Sequence, residues 1–117
     1  MCSGKVYYDL LQERDLKSIT DVYLLRLEQF YPFPAISLTK ELIRFKKAEI
    51  IWCQEEPKNQ GAWNFVEPNI EWVLTKIKSK TKRPAYAGRN ASASPATGLA
   101  AQHKYQQTKL IEEALGF

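Results

Sequence analysis

The sequence predicts an α/β fold, a mostly parallel sheet held between helices in a three-layer α/β/α sandwich. Three observations carry that expectation. Short apolar runs at residues 22–27, 50–53 and 84–88 alternate with longer stretches whose apolar residues recur at helical spacing. The connections between them are short, which suits strands and helices that alternate along the chain. In the middle run, Ile50, Ile51 and Trp52 do not alternate with polar residues, as expected of a strand covered on both faces. With 117 residues there is room for one domain with a modest core.

From Gly4 to Lys17 the pattern is helical, with Val6, Tyr7, Leu10 and Leu11 on one face. Only Met1-Cys2-Ser3 precedes this helix, where an α/β unit would place a strand. The chain is therefore expected to be a fragment of a longer one, short of its first strand or strands. Residues 22–27 form a strand candidate rich in residues that suit a pleated surface. Tyr31-Pro32-Phe33-Pro34 ends it as a stiff apolar loop, which either packs over the sheet end or contacts another subunit. Pro34 suits the first turn of a helix through Leu38, Leu42 and Phe45, closed by Lys46 and Lys47.

The strand at residues 49–54 stops at Glu55-Glu56-Pro57, because proline lacks an N–H and fixes φ. Gly61 lets the chain turn into a helix through Val66, Ile70, Val73, Leu74 and Ile77. Pro68 places the start of that helix near itself or kinks its first turn. The third strand candidate opens on Pro84, which suggests an edge position. Ser94 followed by Pro95 reads as an N-cap and first helical residue, and Gly116 as the stop of the last helix.

Composition narrows the function classes. The net charge of +4 is unevenly laid out: residues 76–109 hold eight basic and no acidic groups. Such a segment suits an acidic partner or a phosphate, or is simply a solvated helix end. Nucleic acid is not expected, since no aromatic lies between Trp72 and Tyr86 to stack on bases. No apolar run is long enough to span a membrane, and no leader pattern is read at the amino end. Cys2, Cys53 and His103 lack metal-ligand spacing, so no metal site is expected and the thiols read as reduced and buried.

No catalytic set assembles either. Glu55 and Glu56 are adjacent on an extended chain and point to opposite faces, so they do not converge on one atom. One is expected to accept a backbone or tryptophan N–H at the helix start, the other to face a partner. Tyr31, Phe33, Glu55, Glu56, Lys58 and Trp63 are the candidate contact residues. Arg89, Ser92 and Ser94, ahead of a helix start, form a candidate anion pocket; the same residues also serve as ligand-free caps.

Several stretches occur in a telling order: Cys2-Ser3-Gly4-Lys5-Val6-Tyr7-Tyr8-Asp9-Leu10, Glu28-Gln29-Phe30-Tyr31-Pro32-Phe33-Pro34, Trp52-Cys53-Gln54-Glu55-Glu56-Pro57-Lys58-Asn59-Gln60-Gly61-Ala62-Trp63, and Tyr86-Ala87-Gly88-Arg89 with Ser92-Ala93-Ser94-Pro95-Ala96-Thr97-Gly98. Together they resemble the carboxyl-terminal domain of the decarboxylating component of 2-oxoglutarate dehydrogenase, in the transketolase-like family. The resemblance implies a parent enzyme of the tricarboxylic acid cycle, a homodimer dependent on thiamine diphosphate and magnesium. That enzyme would pass a succinyl group to the succinyltransferase component of its complex. It would reside in the bacterial cytoplasm or the mitochondrial matrix. The catalytic groups and cofactor ligands would lie upstream, so this chain alone would be inactive, a structural and dimerising domain without cofactor. The alternative is a regulatory module that binds AMP or acetyl-CoA at the Arg89/Ser92/Ser94 loop; Asn90 stands where some relatives carry a second basic residue.

Overall fold

A computed structural model describes residues 1–93 and 98–117. The elements are α1 (Val6–Leu16), α2 (Ala35–Leu42) continued by a 3-10 turn (Ile43–Phe45), β1 (Ile51–Pro57), α3 (Trp63–Lys76), β2 (Ala85–Arg89) and α4 (Ala100–Leu115). β1 and β2 run parallel, with Ile51 opposite Ala85, Trp52 opposite Tyr86 and Cys53 opposite Ala87. β2 begins just after Pro84, whose missing N–H would interrupt a ladder.

The helices lie on both faces of this sheet. Trp52 packs with Leu38, Leu42, Val66, Ile70 and Val73 from α2 and α3. Its neighbour Cys53 packs on the other side, with Val6 and Leu10 of α1 and Leu110 and Leu115 of α4. Successive residues of one strand thus serve opposite cores, as the pleat requires, and the unbroken apolar run of β1 is explained. Val66, Ile70 and Val73 are wholly buried, and burying each such side chain contributes about 1.5–3 kcal/mol.

The strand expected at residues 22–27 is not a regular strand. It makes one parallel bridge, from Arg26 to Cys2, and Cys2 bridges in turn to Cys53. The Cys2 N–H donates to the Leu25 carbonyl at 3.0 Å and the Leu27 N–H to the Cys2 carbonyl at 2.8 Å. On the other flank the Cys53 N–H donates to the Met1 carbonyl at 2.8 Å, and the Met1 nitrogen donates to the Ile51 carbonyl at 2.6 Å. Met1 and Cys2 therefore sit between residues 25–27 and β1. Residues 22–24 pair with no strand among the described residues. In line with Met1, a cavity of about 700 Å³ opens between Tyr23–Leu25 and Ile50–Ile51.

Other boundaries moved for local reasons. α3 begins at Trp63, so Pro68 lies inside it on the exposed side. Its missing N–H leaves only the Asn64 carbonyl without a helical donor. The Ser94–Pro95 helix start lies outside the described residues; α4 as described begins at Ala100, with Leu99 extended before it. Gly116 closes α4 at φ 85°, the left-handed conformation that suits glycine.

Candidate functional site

The far end of β1 departs from regular pairing. Cys53 and Pro57 are four positions apart, while their partners Ala87 and Arg89 are two apart. The surplus residues form a bulge, which re-aims side chains. Gln54 is thereby buried, at 4% exposure, and becomes the centre of the β1–α3 loop. Its Oε1 accepts from the Trp52 indole N–H and from the Trp63 backbone N–H, each at 3.0 Å. Its Nε2 faces the carbonyls of Glu56, Pro57 and Gln60 at 3.2, 3.0 and 2.8 Å. A carboxylate at the helix start was the sequence expectation; the amide beside the two carboxylates performs that task. A carboxylate there would have no N–H to offer the three carbonyls.

Glu55 and Glu56 diverge, as the pleat requires. Glu55 Oε1 accepts from Lys5 Nζ at 2.6 Å and from Gln107 Nε2 at 2.9 Å. The hydrogen bond to Glu55 holds the Lys5 amine above its ordinary range. Gln107 also donates to Asp9 at 3.1 Å, so α1, β1 and α4 meet at one polar junction. Glu56 is exposed and lies beside Gly61, where an added Cβ would meet its Oε2 at 2.7 Å.

Arg89, at the end of β2, joins the same junction. Its two terminal nitrogens donate to the Glu55 carbonyl at 2.6 Å, to Gln107 Oε1 at 3.2 Å and to His103 Nδ1 at 3.2 Å. Arginine only donates, so Nδ1 of His103 is the acceptor in this contact. The Tyr86 hydroxyl donates to the Arg89 carbonyl at 2.8 Å, and burial pushes its pKa up to about 12. Asn59 exchanges two hydrogen bonds with the Ser92 backbone, at 2.8 and 2.9 Å. These contacts fold the residue-90 loop over the β1–α3 loop.

A cavity of about 700 Å³ opens beside this junction, lined by Lys58, Arg89, Ser92, Gln106 and Lys109. Gln106 Oε1 and Arg89 Nε are buried at this wall and have no hydrogen-bond partner among the described residues. Of the three anion candidates, Arg89 and Ser92 line the cavity, and Ser94 lies outside the described residues. Lys58 reaches over the Tyr86 ring at 5.5 Å from its centroid.

The contact candidates separate. Trp63 is in the core, at 6% exposure and 5.1 Å from the Tyr86 ring. Tyr31 is 88% exposed, while Phe33 packs edge-on against Phe65 at 6.3 Å. Sequence reasoning missed Gln54, Asp9 and Gln107. A polar residue inside an otherwise buried run was a readable signal for Gln54; nothing local marks Asp9 or Gln107.

Among the described residues, no group of three His, Cys, Asp or Glu side chains could hold a metal ion. Lys5 is paired with Asp9 and Glu55, while Arg89 is held by uncharged acceptors. The described residues therefore do not fit a diphosphate–magnesium cofactor.

A family model described as 2-oxoglutarate dehydrogenase C-terminal matches residues 1–115. The chain is similar to proteins named 2-oxoglutarate dehydrogenase E1 component from Brucella anthropi, Brucella ovis and Brucella melitensis. Each is 60% identical over 116 residues, which cover 99% of this chain and 12% of the relative. The chain thus spans about an eighth of the length of the curated relatives it matches.

Proposed function

Since the chain belongs to the 2-oxoglutarate dehydrogenase C-terminal family, we propose that it is the structural and dimerising portion of a thiamine diphosphate-dependent, 2-oxoglutarate-decarboxylating enzyme. By itself it is inactive. The observation that supports this reading is the apolar cavity in line with Met1. It is lined by Val22, Leu24, Leu42, Ile50 and Leu115, and the flanking chains already pair with Met1 and Cys2 on both sides. By strand alternation, the N–H groups of Leu25 and Ile51 face that space. An extended segment of the parent polypeptide would complete the sheet there, and the exposed Tyr31 would meet a neighbouring domain or second subunit. Catalysis, thiamine diphosphate and magnesium belong to the rest of that polypeptide.

The test is a decarboxylation assay with 2-oxoglutarate, thiamine diphosphate and magnesium. The 117-residue chain gives no turnover and the full-length protein does. Turnover by the short chain overturns the reading.

A second reading is favoured by the cationic cavity lined by Lys58, Arg89 and Lys109, with the Arg89 Nε donor unpartnered among the described residues: a regulatory site for a phosphorylated ligand such as AMP or acetyl-CoA. Titration calorimetry on the native protein and on Lys58→Ala tests it, and absence of heat from both ligands defeats it.

A further inference from the structure

The carboxyl ends of α2 and α3 come together and build a cationic shelf that neither segment makes alone. The Lys80 N–H donates to the Lys46 carbonyl at 2.8 Å. The Ser79 hydroxyl donates to the same carbonyl at 3.2 Å, and the Thr81 hydroxyl to the Ala48 carbonyl at 2.7 Å. Ser79 is buried at 1% exposure, so it acts as a clamp rather than a contact. Around it Lys46, Lys47, Lys76, Lys78, Lys80 and Lys82 are all exposed. None of the six makes an ion pair among the described residues.

Helix-end compensation accounts for only part of this charge. A cation in the last turn offsets the helix dipole, which covers Lys76. Lys80 and Lys82 lie beyond the helix, where the dipole has faded. Lys78 holds a left-handed backbone at φ 56°, a position where glycine carries no steric penalty. The residue at that position is nonetheless a lysine.

We propose that this shelf docks an acidic protein segment, with Trp72 as its apolar anchor. Trp72 is 53% exposed and stands at the border of the shelf, with Lys76 Nζ 5.2 Å from its ring centroid. Tryptophan is enriched among the residues that carry most of the energy of protein interfaces, and charge complementarity around it steers an oppositely charged partner. Nucleic acid fits less well. The nearby arginines that could grip phosphate in two places are tied to Glu41 and Glu71. The Trp72 face that would stack on a base carries Lys76. Glu49 is also exposed within the patch; spaced carboxylates can avoid it, whereas a continuous phosphate chain meets it.

The experiment measures fluorescence anisotropy of a labelled glutamate–alanine repeat peptide against the protein over a salt series. A Lys46→Ser/Lys80→Ser/Lys82→Ser variant should bind roughly tenfold more weakly. A charge-matched Lys17→Gln/Lys40→Gln/Lys104→Gln variant should change binding less than about twofold. Trp72→Ala should weaken binding roughly threefold or more with an unchanged salt slope. Circular dichroism confirms that each variant is folded. The proposal is overturned if the two lysine variants weaken binding equally, or if Trp72→Ala has no effect. Tighter binding of duplex DNA or phosphatidylserine vesicles through the same lysines also overturns it.

Discussion

Gln54 and Trp63 close the loop between β1 and α3 with a single hydrogen bond, from the Trp63 backbone N–H to Gln54 Oε1 at 3.0 Å. The same oxygen holds the indole of Trp52, so one buried amide fixes a strand end, a helix start and the largest core side chain. Gln54→Leu removes these acceptors and leaves buried donors unpaired. It should cost about 2–4 kcal/mol, read as a lower midpoint in urea denaturation. Gln54→Glu should do no better, since it offers no N–H to the facing carbonyls. Native-like stability in either variant would contradict the central role given to this residue.

Gly88 lies directly opposite the bulge that turns Gln54 inward. A Cβ there would come within 2.8 Å of the Gln54 carbonyl and 2.5 Å of the Tyr86 hydroxyl. The tyrosine can move and the backbone carbonyl cannot do so cheaply. Gly88→Ala should destabilise by about 1–3 kcal/mol, measurable by thermal melting. An unchanged melting temperature would show that the strands can separate at the bulge.

Arg89 is as much a structural bolt as a ligand candidate, because its guanidinium ties α4 to β1 through three partners. Arg89→Ala should therefore raise amide hydrogen exchange across Ala100–Leu115 and cost about 2–3 kcal/mol. Arg89→Lys keeps the charge but cannot reach Glu55, His103 and Gln107 together, and should recover little of this. Full protection of α4 in the alanine variant would refute the bolt.

Stability should fall at alkaline pH. Burial pushes the Cys53 thiol up to about 12 and the Tyr86 phenol up to about 12. Both therefore keep their protons in the folded state after the unfolded chain has lost them. The unfolded state binds fewer protons above about pH 9, so the slope of stability against pH is negative from there through about pH 12. Denaturation midpoints at pH 7 and pH 10 check this. Cys53→Ala should flatten the slope, and a midpoint independent of pH would exclude the effect.

The layered α/β architecture was legible because β1 has a clear signature: Ile50, Ile51 and Trp52 are apolar in succession, and both sheet faces are covered. The helices were legible for a similar reason, since Val66, Ile70 and Val73 mark one face of α3 unambiguously. The residue 22–27 strand was over-read. Its composition is that of a strand, but strand structure needs a paired neighbour, which composition does not report. At the site, Arg89 could be singled out from its position before a loop. Its partner Gln107, and the Asp9 that Gln107 holds in turn, could not, because those two are 98 residues apart and meet only through the fold. Glu55 and Glu56 drew attention as charges, while the decisive group was the uncharged Gln54 beside them.

Cys2 is made long before the residues that hold it. Its sheet partner Cys53 follows about fifty positions later on the chain, and the α4 residues that cover it later still. During synthesis, at roughly 5–20 residues per second, Cys2 waits several seconds for the strand that flanks it in the folded protein. Until β1 emerges, the Met1 carbonyl that accepts from Cys53 stays unpaired and the apolar side chains of α1 stay uncovered. The quality of nascent-chain handling should then decide how much of this protein reaches its native state.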